Sequence, residues 1–202
     1  MAAHRETREI ARGMTEETDQ PPDFVRAVEE LSTARFRPEV IVEEVPAPPR
    51  VASYSHAITA DVVVDDSELA TGRLVLLHEP EGHEAWRGAF RCVTYVRAQI
   101  ESEMLDDAML ADVAWSWLTE ALEAESALYD AVSGTVTRVA SQGFGGLADD
   151  PTRAELEIRA SWTPAAGGMD RHAQGWGRLL CTVGGLPPVP SGIAPLTGRK
   201  ER

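Results

Sequence analysis

The residues best placed for chemistry are His78-Glu79-Pro80-Glu81-Gly82-His83-Glu84, a short run holding two imidazoles and several carboxylates. Donors of this kind suit zinc or another divalent ion, and His56 from a neighbouring strand could add a third imidazole. The spacing is not that of a helical HExxH, and Pro80 and Gly82 are ordinary turn residues, so a solvated turn is the stronger reading. His56 lies on an apolar strand face, where a satisfied core histidine is the commoner outcome. Ser141-Gln142-Gly143-Phe144-Gly145-Gly146 looks at first like a phosphate cradle. It lacks the Lys-Ser/Thr of a P-loop, has the wrong glycine spacing for a dinucleotide site and runs into Asp149-Asp150, so a bulge or wide hairpin fits better. Asp149 and Asp150 have only adjacency to recommend them as an acid/base pair. No G-x-S-x-G elbow is present, and neither Cys92 nor Cys181 has an argued histidine partner. The sequence therefore assigns no catalytic residue, no cofactor and no metal ligand, with His78, His83 and His56 kept as candidates only.

The elements that would carry these residues follow from periodicity. Pro21, Pro22 and Asp23 suit a helix start, and Phe24, Val28 and Leu31 give that helix a stripe to about Ala34. Glu39 to Val45 could add a brief edge strand before the rigid PAPPR segment. Tyr54–Val64 alternates cleanly, Asp65-Asp66-Ser67 opens a turn closed by Gly72, and Leu74 to Leu77 form a second strand. Phe90, Cys92, Thr94, Val96, Ala98 and Ile100 alternate with Arg91, Tyr95, Arg97 and Gln99 in a half-buried third.

A long helix is expected from Leu105 to Tyr129, with Asp106 and Asp107 at its start and Gly134 as its left-handed stop. Its inward face is Leu110, Val113, Ala114, Trp117, Ala121, Ala124 and Leu128. Trp115, Leu118 and Leu122 form a second apolar row, which either meets a partner chain or is covered within the chain. The first helix, through Phe24, Val28 and Leu31, is the expected cover. Thr135–Phe144 and Ala154–Trp162 are the last strands, the latter carrying Glu155, Glu157, Arg159 and Ser161 on its outer side as solvated cross-strand pairs. Asp170 then opens a final helix with Ala173, Trp176, Leu180 and Val183 inward, weakened by Gly175 and Gly177.

The order helix, three strands, helix, two strands, helix, with short connections, predicts an α+β fold: one antiparallel sheet with helices gathered on one face. The single domain spans 21–186, between a mobile polar tail over 1–20 and a Pro- and Gly-rich tail over 187–202. This order resembles the type III secretion chaperone-like fold of small acidic proteins that bind other proteins.

Composition narrows the class. The chain has 202 residues, enough for one well-cored domain, and a formal net charge of −14, which disfavours a direct nucleic-acid binder. Lys200 is its only lysine, which removes lysine from any scheme in the folded region. No run approaches a membrane span, and the N-terminus lacks the apolar stretch of a signal peptide. Two cysteines in predicted elements read as small apolar residues in a reducing cytoplasm.

The segments ARFRPEVIVEEVPAPPR, LATGRLVLLHEPEGHEAWRGAFRCVTYVRAQIE, WSWLTEALE, SGTVTRV, SQGFGGLADDPTRAELEIRASWTP and GWGRLLCTVGGLPP together resemble one actinobacterial family, catalogued as domain of unknown function family 3000. The resemblance covers roughly residues 22–188. It implies a cytoplasmic single-domain protein with no assigned activity, and so carries over no catalytic residue. The expected function is a non-enzymatic protein-binding module, adapter or chaperone-like, with Trp115, Leu118 and Leu122 as candidate partner-binding residues and self-association as one form of partnership. The alternative is a small-molecule or metal-dependent enzyme built on His78, His83 and His56.

Overall fold

Alternating apolar and polar side chains put two different surfaces on one sheet, and that sheet organises the molecule. In the computed structural model, which describes residues 20–150, 152–165 and 167–188, six strands pair antiparallel throughout. They are β1 (Val40–Val45), β2 (Tyr54–Val64), β3 (Ser67–His83), β4 (Gly88–Ile100), β5 (Tyr129–Ser141) and β6 (Arg153–Pro164). Their spatial order is β1-β2-β3-β4-β6-β5, which leaves β1 and β5 at the edges. Three helices complete the α+β domain: α1 (Pro22–Ser32), α2 (Leu110–Ala124) and α3 (Met169–Val183).

The register shows both faces directly. Val42, Ala60, Gly72, Val96, Ile158 and Val136 form a row across all six strands on the helix side. One residue along, Glu43, Thr59, Arg73, Tyr95, Arg159 and Thr135 form a row on the open side. Between sheet and helices lies the main core, with Leu74, Leu76, Leu118, Leu122, Leu156, Ile158, Trp162, Trp176, Leu179 and Leu180 fully buried. Burial of such large aliphatic and aromatic side chains, at about 1.5–3 kcal/mol each, is the main stabilising term.

Several expectations need correction. The Glu39–Val45 segment is a full member of the sheet, so four strands, not three, precede α2. β3 extends to His83, because the residues expected to form a loop continue the strand. Pairing with β4 is irregular only between His78 and His83. The β2–β3 turn is the two-residue Asp65-Asp66 with both φ positive, the twist that suits a tight hairpin, so Gly72 is not its closing residue.

The central helix is shorter than its apolar pattern suggested, and its inward face is rotated. Leu105 sits in a 3-10 turn at Ser102–Asp106, Tyr129 begins β5, and Leu110, Ala114, Leu118, Ala121 and Leu122 are the buried row. Val113 and Leu128 are exposed. Trp117, expected on the inward face, is only partly buried and packs against the main core. Gly134 belongs to β5 rather than to a helix stop. A Cβ there would run into the Arg159 carbonyl of the paired β6 strand and come 2.8 Å from Trp115 Cζ3, so glycine fits both the strand pairing and the α2 side chain above it.

The deeply buried helix is α3, not α2. It packs against α2, α1 and the sheet. Gly175 makes the α2–α3 approach feasible, since a Cβ there would meet Leu122 and the Ala121 carbonyl at 3.1–3.2 Å. The cover over the Leu118–Leu122 row is therefore α3, whereas α1 docks on α3 from the other side. Readings made for residues 1–19 and 189–202 lie outside the described residues.

Candidate functional site

The histidines expected to converge have quite different surroundings. His78 is buried, stacked on Phe90 at 4.1 Å between ring centres and close to Phe24 and Tyr54, and its Nδ1 lies 3.2 Å from the Ala89 carbonyl oxygen. It is a core residue under α1. His83 is exposed and stacks on Trp86 at 4.7 Å. His56 is partly buried 3.6 Å from Glu44, and burial holds its pKa below the usual value despite that carboxylate. Glu79 accepts from the Ser53 amide and hydroxyl at 2.8 and 2.6 Å, so its carboxylate closes a turn. Among the described residues no group of three or more His, Cys, Asp and Glu side chains is arranged to hold a metal ion.

The other singled-out residues are placed as plainly. Leu118 and Leu122 are fully buried under α3, and Trp115 is half-buried over Gly134. Ser141–Gly146 leaves β5 for the wide hairpin connection to β6, where Phe144 and Leu147 are exposed. Asp149 and Asp150 are exposed in the same connection. Cys92 and Cys181 are free and buried, and burial pushes the Cys92 thiol up to about 12, which makes it a poor nucleophile.

What the structure brings together is on the open side of the sheet. Part of that side is roofed: Ala57, Val75 and Leu77 form a small second core with Val45, Ala47, Ala52, Trp86 and Val93. Beside it lies a groove of about 450 Å³ over β3, β4, β6 and β5. Val75 and Val93 line one end, Ser133, Thr135 and Ser161 supply hydroxyls, and Arg73, Tyr95 and Arg159 form a cross-strand row. Among the described residues no aspartate or glutamate lines it, although acidic residues outnumber basic ones by 33 to 19 in the chain.

Three guanidiniums serve this region and only one is matched by a carboxylate. Arg159 pairs with Glu157 at 2.7 Å and lies 5.0 Å from the Tyr95 ring centre, while Tyr95 donates its hydroxyl to the same Glu157 at 2.9 Å. Arg73 donates from Nη2 to the Pro46 carbonyl, and its Nε is buried without a partner among the described residues. Arg91 is buried and donates only to neutral oxygens: the Ala131 carbonyl at 2.9 Å, Thr163 Oγ1 at 3.0 Å, Ser133 Oγ at 3.2 Å and Ser161 Oγ at 2.7 Å. Burial lowers its pKa, yet a guanidinium stays charged in any protein setting.

A local irregularity builds the Arg91 nest. β5 slips register between Asp130 and Ser133, and Ala131 sits at φ +49°, a conformation unusual for a residue with a side chain. Asp130 Oδ1 accepts from the Ala131 amide at 2.6 Å and stabilises the kink. The bulge turns the Ala131 carbonyl and the Ser133 hydroxyl toward Arg91. Alternation had put Arg91 on the solvent face and Arg159 in a surface ion pair. The available signal was three arginines on one parity of three paired strands, together with the hydroxyls of Ser133 and Ser161.

The chain is thus an antiparallel α+β domain with helices on one face of its sheet and an arginine-lined groove on the other. Over residues 20–194 the chain matches the family described as "Protein of unknown function (DUF3000)", and it belongs to that family. No curated protein and no solved structure matches it. No helix among the described residues is long and apolar enough to cross a membrane.

Proposed function

We propose that this protein is a non-enzymatic protein-binding module of the cytoplasm whose docking surface is the open side of its sheet. The observation that carries this reading is the groove over β3, β4, β6 and β5, lined by Arg73 and Arg159 with Glu157 the one carboxylate paired to them, in a strongly acidic chain. A partner held there would find a flat apolar floor beside directed donors, the composition of a recognition surface. The Trp115–Leu118–Leu122 row offers little surface for the same purpose, because its two leucines are inside the core. The element order resembles that of type III secretion chaperone-like proteins and points to the same class, although four strands rather than three precede α2. A metal-dependent enzyme built on His56, His78 and His83 draws no support from their surroundings. The free, buried Cys92 and Cys181 accord with a reducing compartment.

The test is site-specific photo-crosslinking in the native host. A photoreactive side chain at Thr135, exposed at the groove, should give a discrete protein adduct. The same group at Glu120, exposed on α2, should give none. Adducts of equal yield at both positions, or only at Glu120, would place the partner elsewhere.

A further inference from the structure

We infer that the groove recognises an extended acidic peptide segment, one that presents two carboxylates two residues apart on the same side of its chain. This rests on the reading of the open face as a docking surface and names what that surface takes.

The first ground is charge. Arg73, Arg91 and Arg159 face a single carboxylate, Glu157, which is engaged by both Arg159 and Tyr95. Among the described residues Arg73 has only the Pro46 carbonyl as a hydrogen-bond partner. A guanidinium held by one carbonyl keeps donors to spare, and an incoming carboxylate matches its planar fork.

The second ground is geometry. The Arg73–Tyr95–Arg159 row and the Val75–Val93–Ser161–Ser133 row lie two residues apart along the strands, a separation of roughly 7 Å. Ser133 and Ser161 each accept from Arg91 Nη2, which polarises their hydroxyls as donors and brings the third positive charge to the second row. Two anion-attracting points at that separation match side chains i and i+2 of an extended chain, which lie on one side of it. A single phosphate does not span them.

The third ground is the rest of the molecule. A long polyanion would meet a chain of net charge −14, whereas a short segment meets mainly the local cations, because charges beyond about 8–10 Å are screened at physiological salt. The apolar floor of Val75 and Val93 adds contact that a free inorganic anion could not use.

The experiment uses the full chain and three probes: fluorescein-labelled Ac-Glu-Val-Glu-Val-Glu-amide, the same peptide with every Glu replaced by Gln, and inorganic phosphate as a competitor. The Glu peptide should bind saturably, the Gln peptide should bind at least about tenfold more weakly, and Arg73→Gln should weaken the Glu peptide by about tenfold. Arg73 also ties down Pro46, so a second variant leaves the structure alone. Thr135→Glu at an exposed groove position should abolish binding while the circular dichroism spectrum is unchanged. Equal binding of the two peptides, full affinity in a folded Arg73→Gln or Thr135→Glu variant, or displacement by millimolar phosphate would each overturn the inference. A partner adduct at Thr135 that survives in Arg73→Gln would show that the docking face stands while the acidic-peptide assignment fails.

Discussion

At the scale of single residues, His172 shows how the core handles a titratable group. It is almost fully buried, accepts from Trp162 Nε1 at 3.1 Å through its Nδ1, and is also hydrogen-bonded to the Leu128 backbone. Its surroundings favour the neutral ring, and burial depresses its pKa to about 4 against the Leu128 bond and nearby Asp170, which favour the charged form. In the unfolded chain the same imidazole titrates near the ordinary 6.5, so between these values the unfolded state binds more protons. Stability from this residue is therefore complete above about pH 6.5 and falls as the pH drops toward 4, by about 3 kcal/mol in total. Urea unfolding at neutral and mildly acidic pH should show the loss. His172→Asn, which can keep an acceptor for Trp162 but does not titrate, should reduce the slope. An equally steep pH dependence in that variant would show that other groups set it.

At the scale of elements, packing of helix on helix decides what the apolar pattern alone left open. A row of Trp115, Leu118 and Leu122 is compatible with a partner or with internal cover, and α3 supplies the cover. The close approach needs small residues, so Gly175, which weakens an isolated helix, supports this one by admitting Leu122. Arg178 of α3 then pairs with Glu125, just past the end of α2, at 2.6 Å. Leu118→Glu would place a carboxylate among apolar side chains without a hydrogen-bonding partner. It should unfold the protein, seen as lost circular dichroism signal, rather than split an assembly into folded monomers. A folded variant of reduced mass would mean that this row faces another chain.

At the scale of the whole molecule, the sheet is covered by helices on one side and only partly roofed on the other. β4 lies in the middle of the sheet order, between β3 and β6, while β1 and β5 each pair on one side. Amide hydrogen exchange should therefore be slowest in β3 and β4 and fastest in β1 and β5, following the cost of opening each hydrogen-bond ladder. Protection of β5 equal to that of β4 would indicate that its free edge is engaged. Such an edge is the usual place for an added strand, and it lies next to the groove through Ser133 and Thr135.

Much of this architecture is written locally. Alternation over Tyr54–Val64, Phe90–Ile100 and Ala154–Trp162 gives the helix-facing side of the sheet, because a strand's period of two leaves each residue only two faces, but it does not show that Ala57 and Arg91 are buried on the other side. The family, too, is legible from short phrases spread along the chain. The helix faces are less determined, since Leu105–Tyr129 is apolar over so wide an arc that its inward direction depends on which helix arrives to cover it. Arg91 is the sharpest case. Its strand parity is evident from sequence, yet its burial comes from a bulge in β5, forty residues away, and from hydroxyls on β6. Position along a strand is a local property, whereas a side chain's neighbours are set by strand order and register. The sequence by itself therefore determined the sheet, its two faces and the family, while only the tertiary structure decided that Arg73 and Arg159 line one groove with Arg91 buried behind its serines.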